Sequence, residues 1–499
     1  PIPMKSIAEI FDNSKELLDS ISNFMDKYIG SSLLRKCGIT KIVDSVTEKS
    51  VYEYADNPIS RLIGTTVKDS KFLEKCVSAG QLLTDKILAG FTAASPYRMF
   101  ETGNFFRDYK KDTFYRFDLM PKANWERLQQ ETAAGVIRDL ESQTDKKHKC
   151  ALIFDDSLYA RTGGKGTDLC GKVFDHNDHR MRTGYRMMTG GWTNSEIFLP
   201  FSQILLTTRD ENLMTGPDIP VDRRTIRGRR RAAAKEKGTD TVCRMVKEAK
   251  KAGIPFDFVL FDTWFSNPAQ LVELKGMDVD TIAMIKKNST KYLWTDPETG
   301  KQSRLDVKEI YSRSKKRRGK SRYLLSVNVT VTGSEGNAIL AKLVYARNRS
   351  NRKDWVCFVC TDTSLSEREI LETYMLRWQI ETYFKLTKSY LKLRTECHST
   401  SYDALTSHMV VVAIRYMILA VERFRNSDSR SLEDLFYGVQ REIINEFIDC
   451  AIVLMIDTLL GSIREYYNAS ETQVAELVCL FISKLPENWK NRFQIPKVA

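Results

Sequence analysis

Tyr374, Arg377, Glu381 and Lys388 follow a Tyr-x2-Arg-x3-Glu-x6-Lys spacing around the string RWQIE. On a helix spanning 367–391, that spacing puts all four side chains on one face. A carboxylate flanked by two cations and a phenol is poorly suited to apolar packing. It suits a phosphodiester held over a metal ion. The plainer alternative is an intrahelical ladder of ion pairs, each contributing about 0.3–0.5 kcal/mol. Two upstream aspartates close apolar, strand-like runs: Asp262 ends FDFVLFD, and either Asp155 or Asp156 ends CALIFDD. A lone aspartate at a strand end usually forms a turn. Two of them together with Glu381, from three separate elements, make a set of hard oxygen donors of the kind Mg²⁺ prefers. Two such ions about 4 Å apart can activate an attacking oxygen and stabilise a leaving one.

The elements that must position these acids change character along the chain. Residues 1–145 read as mostly helical, with amphipathic runs near 6–28, 67–91 and 123–142 and helix-turn candidates in GITKIVDSV and NPISRLIGTTV. From 146 to 287 short buried strands alternate with helices: CALIFDD, a hairpin TGYRMMTGGW–EIFLPFSQILL, a basic helix at 229–252, FDFVLFD, a helix in NPAQLVELK, and DTIAMIKK. This order matches a ribonuclease H-like mixed sheet, in which the first and fourth strand ends lie side by side. Residues 288–365 alternate apolar and polar residues and predict an inserted antiparallel β-subdomain. The stretch 366–400 carries the signature helix, and 401–499 reads as helical. The fold class expected is therefore α/β, with helical regions flanking the interrupted core.

Charge sharpens the functional reading. The net charge of +13 is concentrated: residues 222–251 hold twelve Arg/Lys against four Asp/Glu, and 313–322 hold seven cations and no acid. Two basic patches on an otherwise near-neutral protein favour a polyanionic partner. The apolar runs near 409–414 and 451–456 are interrupted by Arg415 and Asp457, so no membrane span is expected. The ten scattered cysteines suit reduced thiols, and Cys357-x-x-Cys360 reads as core packing. Asp175-His176-x-x-His179 lacks partners at zinc spacing and reads as a hydrogen-bonded loop.

The Tyr-Arg-Glu-Lys pattern resembles the signature of bacterial insertion-sequence DDE transposases, of the retroviral-integrase superfamily. FDHNDHR, YRMMTGGWTN, VDRRTIRGRRR and VLFDTWFSNP resemble blocks of the same family. The resemblance covers about 100–425. It implies that Asp155, Asp262 and Glu381 are catalytic and bind two Mg²⁺ or Mn²⁺ ions. A serine two residues after Asp155 favours it over Asp156. Cleavage at the element ends, then attack of the freed 3′-hydroxyl on target DNA, would follow, with a hairpin intermediate open to this branch. By the same analogy Tyr374, Arg377 and Lys388 contact phosphates of the transposon end. Trp294, Trp355 and Trp264 are base-stacking candidates, whereas Trp378 reads as a core anchor. We further expect backbone contacts from Arg223, Arg224, Arg227, Arg229, Arg230, Arg231, Lys315, Lys316, Arg317 and Arg318. The N-terminal region would bind end DNA. The partners implied are terminal inverted repeats, target DNA and a second copy in a synaptic dimer, in a bacterial cytoplasm at the nucleoid. A nuclease without strand transfer and a non-catalytic DNA-binding descendant are the competing readings.

Overall fold

The computed structural model describes residues 16–53, 66–92, 96–101, 109–143, 149–175, 178–317, 321–348, 351 and 353–486. It begins with helices α1 (Glu16–Tyr28) and α2 (Ser31–Lys36), then a two-stranded antiparallel ribbon, β1 (Ile42–Glu53) and β2 (Thr66–Val77). The ribbon corrects the helical expectation for GITKIVDSV and for the start of the 67–91 run. The Ile-Val, Val-Thr and Ser-Val-Tyr steps from Ile42 to Tyr52 are rich in β-branched and aromatic residues, which favour a pleated backbone. Residues 57–65 of the second helix-turn candidate lie outside the described residues. Helices α3 (Ala79–Ala89), α4 (Pro96–Glu101), α5 (Lys111–Asp118) and α6 (Trp125–Ser142) complete this region. Ser78 starts α3 by accepting the Gln81 N–H (3.1 Å).

A mixed sheet of eleven strands follows: β3 (Ala151–Ala160), β4 (Gly171–Asp175), β5 (Arg180–Thr193), β6 (Phe198–Leu206), β7 (Phe258–Phe261), β8 (Asp280–Ile285), β9 (Tyr292–Thr295), β10 (Gln302–Leu305), β11 (Tyr323–Thr332), β12 (Ala338–Arg347) and β13 (Trp355–Cys360). The helices woven through it are α7 (Ile226–Ala233), α8 (Gly238–Lys251), α9 (Pro268–Gly276) and α10 (Val307–Arg313). Strand order is β10-β9-β11-β12-β13-β8-β7-β3-β5-β4, with β6 also on β5. Among the described residues only β3, β7 and β8 pair in parallel. Their buried runs, Ala151–Phe154 and Phe258–Phe261, are apolar on both faces, as a parallel sheet covered on both sides requires.

The region 288–365 is antiparallel as expected, but its strands do not form a separate sheet. Strand β13 hydrogen-bonds to β8 from Ile282–Ile285, so the insertion continues the core sheet. Without it β8 would present a bare edge of backbone donors and acceptors. Cys357 and Cys360 both pack in the core on that strand.

The signature segment is two helices, α11 (Glu367–Met375) and α12 (Trp378–Ser389), rather than one. Ser366 and Glu369 form a capping box that starts α11. At the join, the N–H groups of Leu376, Arg377, Gln379 and Ile380 each bond three residues back, a tight 3₁₀ link. The chain ends with α13 (Tyr402–Arg425), α14 (Leu432–Tyr467) and α15 (Glu471–Lys484). Among the described residues only α13 is long and apolar enough to cross a membrane. It is buried from Tyr402 to Glu422 against the rest of the fold, and Arg415 in its middle is bound to Glu396 (2.5 Å), so it is a core helix.

Candidate active site

The parallel pairing of β3 and β7 places two acids side by side. Phe154 pairs with Phe261, so Asp155 and Asp262 are each one residue past the last paired position. Adjacent strands lie about 4.8 Å apart. Asp262 turns out of β7 and accepts the Trp264 N–H (2.8 Å), and Asn267 then caps α9. Burial, reinforced by the negative charge of Asp262 and opposed by Arg377, pushes the Asp155 carboxyl up to about 7. Two carboxylates this close resist joint ionisation without a cation. Asp156 is held elsewhere, by Arg186 Nε at 2.7 Å.

Helix α12 brings the third acid. Glu381 lies in its first turn, where the helix dipole favours a carboxylate. Arg377 stands between the acids, with Nη2 2.5 Å from Glu381 Oε1 and Nη1 3.4 Å from Asp155 Oδ2. Its Nε and the Tyr374 hydroxyl are buried donors with no hydrogen-bond partner of normal geometry. Burial raises the Tyr374 phenol to about 12, so it stays a donor. Lys388 donates to Ser157 Oγ. Burial, helped by Arg394, draws its ammonium down to about 8 against the pull of Asp175, Asp155 and Asp156. The 3₁₀ link eclipses residues three apart, which stacks Tyr374 and Arg377 on the acid side and turns Trp378 outward. Trp378 is 55% exposed, correcting its reading as a core anchor.

No three acid, histidine or cysteine side chains among the described residues already stand close enough to hold a metal ion. Asp155 and Asp262 are adjacent, but Glu381 is joined only to Asp155, through the Arg377 guanidinium. The donor chemistry nevertheless fits a hard divalent cation: three carboxylates, two of them mutually repelling, beside unsatisfied donors suited to phosphate oxygens.

The basic segment divides into two groups. Arg230 and Arg231 are buried: Arg230 binds Asp403 (2.7 Å), Glu126 and the Ala123 carbonyl, and Arg231 binds Asp168 (2.5 Å). Arg227 also binds Asp403 (2.6 Å). Arg227 and Arg230 fasten α7 to α13, and Arg231 fastens it to the segment before β4; buried Arg230 and Arg231 are corrected from DNA-contact candidates to internal ties, whereas the Arg227 side chain stays 35% exposed. Their acids, Asp168 and Asp403, carry no local sequence signal, so the pairing could not be read in advance. Arg223, Arg224 and Arg229 remain exposed, with Arg224 paired to Asp222 (2.8 Å). Lys315 and Arg317 are exposed, Arg317 paired to Glu367 (2.5 Å), while Lys316 leans over Tyr311. Arg318 and His176 lie outside the described residues.

The aromatic candidates also separate. Trp294 is buried in the sheet and corrected to core packing. Trp355 stacks on Tyr311 (4.8 Å). Trp264 is half exposed beside Asp262, with Lys286 Nζ 3.2 Å from its ring centroid. Ser157 and Arg186, which hold Lys388 and Asp156, were not identified as site residues because nothing in a linear string pairs them.

Residues 222–418 match the family model of the transposase DDE domain. That stretch contains Asp262 and Glu381 and begins after Asp155. No curated protein matches the chain.

Proposed function

We propose that the chain is an insertion-sequence transposase that cleaves the ends of its own element and joins the freed 3′-hydroxyl to target DNA. The observation that carries this reading is the adjacency of Asp155 and Asp262 on parallel strands, with Arg377 linking Asp155 to Glu381. The β3–β5–β6, β7, β8 arrangement supports a ribonuclease H-like core over 146–287 and 366–400. The 288–365 strands, the N-terminal region and the C-terminal helices are its additions.

Two Mg²⁺ or Mn²⁺ ions, held by Asp155, Asp262 and Glu381, would supply oxygen activation and leaving-group stabilisation. The chain's own groups do the rest. Tyr374 Oη and Arg377 Nε donate to phosphate oxygens, and as Arg377 turns to the phosphate it frees Glu381. Ser157 holds the Lys388 ammonium beside the acids, and Arg186 keeps Asp156 turned away, which favours Asp155 as the first acid. Trp264, half exposed beside Asp262 with the Lys286 ammonium on its ring, is the residue we assign to stacking a base, as a hairpin step would need. The far part of α14 supports pairing of two copies in a synaptic complex: Met455, Leu459, Tyr466 and Tyr467 are all more than half exposed. A bacterial cytoplasm, at the nucleoid, is the location this reading implies.

Incubating the protein with Mg²⁺, end duplex and supercoiled plasmid tests the reading. Joined end–plasmid products are expected. Nicks without joining assign a nuclease instead. Binding without either product assigns a non-catalytic descendant.

A further inference from the structure

A second cationic feature lies away from the acids, at the edge strand β6. A groove of about 940 Å³ runs there between α6 and α8, floored by Ser202, Gln203 and Ile204. Four carboxylates line it, and each is engaged. Glu131 binds Lys36 (2.6 Å) and Arg127 (3.3 Å), Glu236 and Glu248 both bind Arg244 (2.9 Å), and Glu126 binds buried Arg230 (3.3 Å).

The cations left over are Arg138 on α6, Arg223 ahead of α7, Arg229 on α7 and Lys251 at the end of α8. All four are exposed, and among the described residues none has a side-chain ion pair. Unneutralised positive charge gathered in a concavity attracts a polyanion. The groove also aligns with the acid site. Asp155 pairs with Thr189, and Thr189 pairs with Gln203, so Gln203 in the groove floor lies in one row with Asp155. Two strand spacings separate them, roughly 10 Å. Duplex DNA carries one charge per about 1.7 Å of axis, so a helix leading from the acids brings about six phosphates within that distance.

We propose that the β6-edge groove binds the sugar–phosphate backbone of double-stranded DNA beside the bond at the acid site. The choice of DNA as the polyanion rests on the transposase reading above.

Anisotropy titration of a long random-sequence duplex, without metal ion and across a salt series, tests the groove. The variant R138Q/R223Q/R229Q/K251Q should bind at least about tenfold more weakly. The slope of log affinity against log salt should fall by about 3–4, close to 0.9 for each phosphate that the variant no longer neutralises. The K301Q control, exposed in the β9–β10 turn at the far edge of the sheet and outside the groove, should keep the native slope. Should the fourfold variant lose its native circular dichroism, R138Q and K251Q taken singly should each lower the slope by about 0.9. A slope equal to that of the native protein overturns the groove and leaves the transposase reading standing. A native protein that binds no duplex even at low salt overturns the transposase reading itself.

Discussion

Arg377 and Arg230 are both arginines held between two carboxylates, yet they sit in opposite environments. Arg230 is enclosed completely, with Asp403, Glu126 and a backbone carbonyl taking its donors, while Arg231 and Arg227 add Asp168 and the second Asp403 oxygen. Arg377 keeps some exposure, reaches Asp155 only at 3.4 Å, and leaves its Nε without a partner. The same chemistry therefore does two jobs. Arg230 has no unpaired donor to give, and breaking its pairs leaves a charge stranded in the interior; Arg231 beside it keeps Nε and Nη1 unpaired, but sealed off by burial. An open cluster can exchange one carboxylate for a phosphate at little desolvation cost. Enclosure, rather than residue type or a full set of partners, separates a tie from a site.

That contrast can be broken or sharpened by mutation. The largest effect is expected at the open cluster. Asp262→Asn or Glu381→Gln should lower metal-dependent DNA cleavage by roughly a thousandfold or more, which is above about 4 kcal/mol of barrier, with the unfolding midpoint nearly unchanged. A variant that cleaves normally removes that acid from the site. At the closed cluster, Asp403→Ala should destabilise the fold by about 3–5 kcal/mol, measured by urea denaturation, because Arg227 and Arg230 lose their partner inside the protein. An unchanged midpoint would show the two clusters to be alike.

The acids should also reveal themselves through pH. Asp155 is raised from 3.8 to about 7, so the metal-free native state keeps its proton where the unfolded chain has lost it. Stability should fall as pH rises through that window, by about 2–4 kcal/mol, and Asp155→Asn should abolish the dependence in chelator. Glu396 moves the other way. Burial, which alone would raise it, is outweighed by Arg415, leaving its carboxyl at about 2. Its contribution is complete above its ordinary 4.5 and lost as pH falls toward 2, and Glu396→Gln should flatten that acid limb. The smallest effect concerns Trp378. Since it projects into solvent, Trp378→Ala should change stability by less than about 0.5 kcal/mol, whereas Trp294→Ala should lower it by about 3–5 kcal/mol.

Much of the core was legible because its signals are local. Apolar runs ending in carboxylates gave β3 and β7, and the same fully apolar strings explain their burial on both faces. Spacing alone brought Arg377 and Glu381 together. The β1–β2 ribbon was misread because its residues alternate too loosely to separate strand from amphipathic helix. The break at Leu376 was invisible because both flanks are good helix formers, and the 3₁₀ link is a matter of which carbonyl each N–H finds.

The linear chain by itself determined which acids and cations exist, and which of them lie at strand ends or one helical turn apart, since both are short-range consequences of backbone geometry. Only the tertiary structure decided which arginines remain open to a ligand. Asp403 and Asp168 reach α7 from distant positions, hold Arg230 and Arg231 away from solvent and tie down one side of Arg227, and pairing across such distances leaves no trace in composition or period.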